Sequence, residues 1–466
     1  MMKRLLIQTQ LSNYDTKGNF ILECDSGWQM VMGRVREMLK LNPDLQIDVM
    51  GPRVFGMYNG DSSVITPPHL VNPDMEWHYL YSYNDPTIED RGRLNYIQHE
   101  IMSNALATRY DFHFESLSLI LGLHNHKKYP QFKYDAVYVN DPMHLRNFKA
   151  MFMVKGGYQP KFYVHSHFID NPECPKFPTD ASLWLGQCEA AIKADYNFWQ
   201  CESSMNVFFE SMRQQFQPSI VDAVKAKSSP WDDGYSATEI TLPPDMKNVR
   251  FDPSVFDKWK AEHKTIIFVP NRIGGRGRSS DYTNCGKFMF DLLPQLAKAR
   301  LGKGLNVQTD FIVLAGNPSQ KFFNHELEAE CGSNGYASLV PDAFNRDEFK
   351  LIARNSDIAL GIYDQDTYGG TVARECIELG CMPLWLDVNE YSSIAREAGG
   401  YPCVRPDWSD FIGRASNLLD DVKHLKTAYT TGPRKSAWLT SLQRVVRDRC
   451  SYEATTPAMM KIMGLL

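Results

Sequence analysis

Apolar positions along the first half of the chain alternate between short solid runs and stretches of helical period. Residues 5–9 read as a buried strand. Over 28–39, Met32, Val35, Met38 and Leu39 recur at helical spacing, and 45–50 gives a second strand stopped by Gly51-Pro52. Strand, helix, strand is the opening of a parallel α/β sheet. The theme returns with a strand over 134–139, a helix near 143–153, a strand over 161–164, a helix over 182–193 and a further segment at 195–200. From about 214 to 253 the pattern breaks. Pro218, Pro230, Gly234 and Pro243-Pro244 make a loop-rich passage that reads as an interdomain linker. A second α/β series follows: strands at 265–269, 310–315, 338–340, 358–362 and 382–386, helices at 287–300, 347–354 and from Gly370 onward, then helical material over 408–466. The expected organisation is an α/β protein of two Rossmann-like domains facing a central cleft. The domains are 1–245 and 246–435, and a helical tail, 436–466, packs back on the first.

Composition narrows the class. The chain has 466 residues, 43% hydrophobic and 12% aromatic, enough for two ordinary cores and too aromatic for a disordered chain. A formal charge of −5 argues against a general nucleic-acid coat but leaves room for a local basic groove. The ten cysteines show no CxxC spacing, so free thiols and a cytoplasmic location are expected, and no metal site is. The N-terminal apolar run is too short for a signal peptide, and no membrane partner is expected.

Chemistry concentrates between Asp364 and Leu386. Gly369-Gly370-Thr371 opens a helix, Glu375 lies inside it, and Gly380 closes it. A helix start of this kind presents backbone N–H groups and a positive dipole end to phosphate, and a carboxylate about one and a half turns in can accept from a ribose diol. An ordinary strand-to-helix turn carries the same local pattern. In Phe268-Val-Pro-Asn-Arg-Ile273 a strand ends on Arg272, and Arg276, Arg278 and Lys287 follow it. Cations at such a strand end suit a diphosphate leaving group, although a solvated basic loop reads alike. The loop Val340-Pro-Asp-Ala-Phe344 precedes another helix, where backbone groups at Ala343 and Phe344 could read a base edge.

In this order the features resemble the C-terminal domain of GT-B glycosyltransferases, especially the large retaining group. Glu375-Cys-Ile-Glu-Leu-Gly380 matches the end of that group's Glu-x7-Glu motif, followed by Pro383 and an apolar strand. Leu242-Pro-Pro-Asp245 and Phe251-Asp-Pro253 resemble its interdomain segment. The position eight before Glu375 is Thr367, where the group carries its first glutamate; Asp366 is adjacent and Asp364 is two residues further back. The resemblance implies a retaining, metal-independent transferase with no cofactor and a nucleotide-diphosphate sugar as co-substrate. It places Arg272, Lys287, Ala343, Phe344, Asp366, Tyr368, Gly369, Gly370, Thr371 and Glu375 around the donor.

In the N-terminal half, Phe162-Tyr-Val-His-Ser-His-Phe168 delivers His165 and His167 at a strand end, on one face by alternation. The resemblance makes His165 the residue at the reacting centre; a structural histidine is the other reading. Asp141 is the polar group at the preceding strand end and, with Asp170, a candidate base for an inverting reaction. Two basic clusters, His124 to Lys128 and Lys423 to Arg449, suggest a polyanion track. In overall style the chain is similar to phage enzymes that glycosylate hydroxymethylated bases in double-stranded DNA, which sets the expected acceptor and a host-cytoplasm location. A carbohydrate acceptor, or a nucleotide-sugar-binding or epimerase protein without transfer, are the alternatives.

Overall fold

The computed structural model describes residues 3–8, 26–52, 57–59, 63–65, 80–82, 94–99, 133–154, 159–167, 169, 181–232, 234–270, 287–316, 335–340, 344–361, 370–428 and 436–466. They belong to two compact units, Met1–Gly234 with Tyr452–Leu466, and Tyr235–Ser451.

The first unit contains strands β1 (Lys3–Gln8), β2 (Leu45–Pro52), β3 (Met57–Asn59), β4 (Ser63–Ile65), β5 (Leu80–Ser82), β6 (Leu94–His99), β7 (Ala136–Val139), β8 (Lys161–Ser166), β9 (Tyr196–Trp199) and β10 (Ser228–Pro230). Eight of them form one sheet in the order β10-β9-β8-β7-β1-β2-β6-β5, and β3 pairs with β4 separately. Every pairing in the large sheet is parallel except β5 against β6, where Tyr81 faces Tyr96. Leu5, Ile47, Val137 and Val164 are buried, as strands covered on both faces require. The helices are α1 (Ser26–Leu41), α2 (Leu145–Val154), α3 (Ala181–Lys193), α4 (Glu202–Gln215) and α5 (Pro218–Lys225).

Helix α1 packs closely on the C-terminal helix Tyr452–Met463 through Gly33. A Cβ at Gly33 would stand 2.3 Å from the Tyr452 ring. Gly33→Ala should therefore destabilise by about 1–3 kcal/mol, overpacking outweighing the ~1 kcal/mol that alanine normally gains in a helix. Thermal unfolding reads the sign directly; a variant melting at or above the wild-type temperature would contradict this packing.

The second unit has strands β11 (Thr265–Val269), β12 (Phe311–Gly316), β13 (Ala337–Val340), β14 (Ile358–Gly361) and β15 (Met382–Trp385), all parallel, in the order β13-β12-β11-β14-β15. Numbered within the unit this is 3-2-1-4-5, the doubly wound arrangement. β11 and β14 are buried along their whole lengths, which is why their sequences run solidly apolar. Pro383 is tolerated because β15 is an edge strand. The helices are α6 (Ala237–Thr241), α7 (Ser254–Ala261), α8 (Leu293–Gly302), α9 (Val307–Asp310), α10 (Arg346–Asn355), α11 (Thr371–Leu379), α12 (Asn389–Glu397), α13 (Phe411–Ala428) and α14 (Ala437–Cys450).

The sequence-based boundaries need two revisions. The passage over 214–253 is not a plain linker: it holds α5 and β10, and the units divide at Gly234 and Tyr235, not at 245. Its proline and lysine content is compatible with β10 because that strand is an edge. The tail also divides. α14 belongs to the second unit, where Gln443 Nε2 donates to the carbonyls of Ile377 (3.0 Å) and Glu378 (3.1 Å), and only Tyr452–Leu466 joins the first.

Candidate functional site

The carboxyl ends of the first and fourth strands of a doubly wound sheet border the crevice where such folds bind ligands. In the second unit these are the ends of β11, at Val269, and β14, at Gly361. The chain returns from this edge at Gly370, the N-cap of α11. α11 ends where Gly380 takes a φ of +112°, with Gly380 N–H donating to Ile377 O (3.0 Å) and Cys381 N–H to Cys376 O (2.9 Å). That C-terminal lock needs a residue free to adopt the left-handed region. The first turn of α11 has no side-chain cap; instead the Gly370 N–H donates to the Tyr391 hydroxyl at 3.1 Å.

Glu375 sits one and a half turns into α11, buried, with both carboxylate oxygens engaged. Arg346, the first residue of α10, donates from Nη2 to Oε1 at 2.6 Å and from Nη1 to Oε2 at 2.9 Å. This is a bidentate guanidinium–carboxylate fork, the strongest ordinary ion-pair geometry. α10 is itself fixed by a capping box, in which Asn345 accepts from Glu348 N–H and Glu348 accepts from Asn345 N–H. Arg250 adds an ion pair to Glu348 at 2.6 Å. Glu348 is penalised by burial, but the hydrogen bonds from Arg250 and Asn345 outweigh that and hold its carboxyl below the ordinary range. Sequence reasoning missed Arg346. The signal was there: a cation at a helix N-terminus opposes the helix dipole and calls for an anionic partner.

Of the other expected donor residues, Phe344, Lys287 and Thr371 are among those described. Phe344, expected to contribute through its backbone, uses its ring for packing. It packs on Phe268 at 5.4 Å between centroids and against Gly316, where a Cβ would come within 2.7 Å of the ring. Lys287 is exposed, with its ammonium over the Trp408 ring at 5.1 Å. Thr371 is the first residue of α11. Arg272, Ala343, Asp366, Tyr368 and Gly369 lie outside the described residues, as do Arg276, Arg278, Asp170 and the His124 to Lys128 cluster.

In the first unit the corresponding switch point lies between β1 and β7. Gln8 Oε1 spans it, accepting from the N–H groups of Asn140 and Asp141 at 3.1 Å each. Asp141 is buried and caps the short 3-10 turn Pro142–His144, accepting from Met143 N–H at 3.1 Å. That capping bond accounts for the orientation of the Asp141 carboxylate. His165 and His167, near the end of β8, have ring centroids 4.1 Å apart. His165 Nδ1 meets the Tyr138 hydroxyl, and His167 Nε2 meets Asn140 Oδ1 at 2.6 Å.

Four cations of the basic cluster near the C-terminus pair with acids inside the second unit. Lys423 pairs with Asp310, Lys426 with Asp357, Arg447 with Glu378, and Arg449 with Glu390 and Glu397. These four are ion-paired; of the same cluster, Arg444 is exposed and Arg434 and Lys435 lie outside the described residues. Among the described residues no helix is long and apolar enough to cross a membrane.

No protein family and no curated protein is matched by the sequence. Solved structures are. The chain is similar to the apo structure of OtsA at 14% identity and TM-score 0.60, covering 99% of each chain. It is similar to α,α-trehalose 6-phosphate synthase from Burkholderia multivorans at 12% identity and TM-score 0.61, over 100% of this chain and 98% of that one. Anabaena HepE in complex with UDP-glucose matches at 9% identity and TM-score 0.57, over 99% and 100%. At these identities the shared property is the fold. The neighbours are GT-B glycosyltransferases, and the chain has their two Rossmann-like α/β units.

Proposed function

We propose that the chain is a glycosyltransferase that moves a sugar from a nucleotide-diphosphate donor to a hydroxyl of a carbohydrate or sugar-phosphate acceptor. The observation that carries this reading is Glu375: a buried carboxylate on the helix that starts beside the switch point of a 3-2-1-4-5 sheet, held by the Arg346 fork. A carboxylate has about four lone-pair sites, and Arg346 uses one on each oxygen. One site per oxygen remains for the two hydroxyls of a ribose. The N-terminus of α11 supplies Gly370 and Thr371 N–H groups toward phosphate, with Tyr391 holding the Gly370 position until a donor replaces it. Arg272 and Lys287 are assigned to the departing diphosphate, Lys287 leaving the Trp408 face to reach it. His165 is assigned to the reacting centre. In a retaining reaction the departing phosphate takes the acceptor proton, and these cations fill the role a metal would have.

Similar structures support a carbohydrate acceptor over a DNA base. Their names concern trehalose-phosphate and sucrose-phosphate synthesis and complexes with UDP, UDP-glucose and glucose 6-phosphate. The internal pairing of Lys423, Lys426, Arg447 and Arg449 weakens the sequence argument for DNA. The test is nucleoside-diphosphate release across a donor panel, with hexoses, hexose phosphates, oligosaccharides and hydroxymethylcytosine DNA as acceptors. Release stimulated by a carbohydrate or sugar phosphate is expected. Release stimulated by the modified DNA alone would return the acceptor to the nucleic-acid class, and an altered sugar nucleotide with no transfer would mark an epimerase.

A further inference from the structure

Lys287 rests on a neutral partner. Arg346, Arg250, Lys426 and Arg447 in the same unit each face a carboxylate. Lys287 is exposed and has no acid or hydrogen-bond partner for its ammonium among the described residues. Its Nζ instead lies 5.1 Å from the centre of the Trp408 ring. An indole is the best aromatic face for a cation, and it holds the charge without cancelling it.

Trp408 takes a φ of +66°, a backbone region that bulky side chains rarely occupy. Such an outlier persists only where its surroundings over-determine it, and it points to a task for the side chain. Here the Trp408 N–H donates to Arg405 O at 2.9 Å, and the Phe411 N–H donates to Trp408 O at 3.1 Å. Asp410 Oδ1 accepts from the Arg405 N–H at 2.8 Å, and Asp407 Oδ1 accepts from the Ser409 N–H at 3.0 Å. The Phe411 ring lies 5.9 Å from Trp408 and 5.8 Å from Phe288, the residue after Lys287. Ring and lysine are thus tied to the same helical start after β11. Val404 bridges Leu386 in parallel just beyond β15, so the loop over 405–410 leaves the sheet at its carboxyl edge, the side of the crevice.

We propose that Trp408 is a positioning residue that acts through Lys287: it seats the ammonium whenever the diphosphate is absent, and so limits how tightly the product is held. The inference rests on the reading that Lys287 serves the departing diphosphate. An acid in place of Trp408 would quench the lysine, and open water would leave it unplaced. The neutral face does neither, because a charge-assisted bond to phosphate outweighs it. A contact that favours the empty site must be given up on binding. At an exposed position a cation–π contact is worth about 0.5–1 kcal/mol, which is about two- to fivefold in affinity. Affinity differences within one site fall chiefly on dissociation, so the seat eases product release.

The test is equilibrium titration of the full chain with UDP, ADP, GDP, CDP and dTDP, then with the nucleoside of whichever diphosphate binds. Trp408→Leu should bind that diphosphate about two- to fivefold more tightly than wild type and bind the nucleoside equally. Lys287→Met should weaken the diphosphate, and in that background Trp408→Leu should have no effect. Tightening is the opposite of what damage to a merely structural tryptophan produces. Unchanged or weaker diphosphate binding in folded Trp408→Leu, equal tightening for the nucleoside, or a shift that survives Lys287→Met overturns the proposal. If the leucine variant fails to fold, magnetic resonance on wild type with isotope-labelled dimethyl lysines replaces it. The Lys287 methyl signal, identified by its loss in Lys287→Arg, should be displaced by the indole ring. It should return toward the other lysines on adding the diphosphate but not the nucleoside. A signal undisplaced at rest, or unmoved by the diphosphate, also overturns the proposal. Glu375→Ala separates the two readings. A diphosphate that needs Glu375 but not Lys287 leaves the donor site standing and removes this inference, whereas no diphosphate binding at all removes both.

Discussion

Replacing Glu375 with alanine is expected to weaken nucleoside-diphosphate and sugar-nucleotide binding by about 10- to 100-fold, the loss of hydrogen bonds from a ribose to a charged acceptor. The fold should survive, because the guanidinium of Arg346, 36% exposed, can turn to water when its partner is removed. Truncating a paired carboxylate usually confounds lost ligand contacts with an orphaned charge, and that exposure separates the two here. Equilibrium titration of wild type and variant, with circular dichroism as the folding control, reads the effect. Unchanged affinity in a folded variant would remove Glu375 from the donor site. Glu375→Gln keeps the shape and weakens the Arg346 fork, so it should fall between wild type and alanine.

The largest expected effect on stability is at Arg300. This residue is fully buried near the end of α8. It donates from Nε to Asp310 at 2.7 Å and from Nη1 to Asp420 at 2.7 Å, Ser416 Oγ at 3.0 Å and Ser416 O at 3.1 Å. It thus ties α8 to α13 and to the residue preceding β12. Arg300→Met fills the volume but leaves Asp310, 2% exposed, with Lys423 as its remaining cation. Breaking a buried pair on one side costs about 3–5 kcal/mol, which for a unit of this size is a melting decrease of about 6–20 °C. Calorimetry should place that decrease in the transition of the second unit. A melting temperature within a degree or two of wild type would show that the pair is dispensable.

The sequence was legible where local rules and tertiary demand coincide. β11 and β14 read as strands because both faces are buried, and α11 ends where the sequence reading placed it because Gly380 takes a left-handed conformation that favours glycine. The helix expected over 287–300 contains a π-turn at Phe288–Leu292. Pro294, which has no N–H to give to an ordinary helical bond, follows directly and accounts for the irregularity. What stayed hidden depends on partners distant in sequence. Gln443 reads as a solvated helix residue until its bonds to α11 appear, which is why α14 was assigned to the wrong unit. Lys423 and Arg447 looked like a basic track because their acids, Asp310 and Glu378, lie far away along the chain.

Hydrogen–deuterium exchange with and without saturating sugar nucleotide tests the central claim most directly, because it locates the donor without assuming an acceptor. Protection is predicted in the first turn of α11, around Gly370 to Glu375, and at the start of α10 around Arg346. It should be absent in Glu375→Ala at the same donor concentration. Donor binding that protects neither segment, or no binding of any sugar nucleotide to the intact chain, would contradict the account.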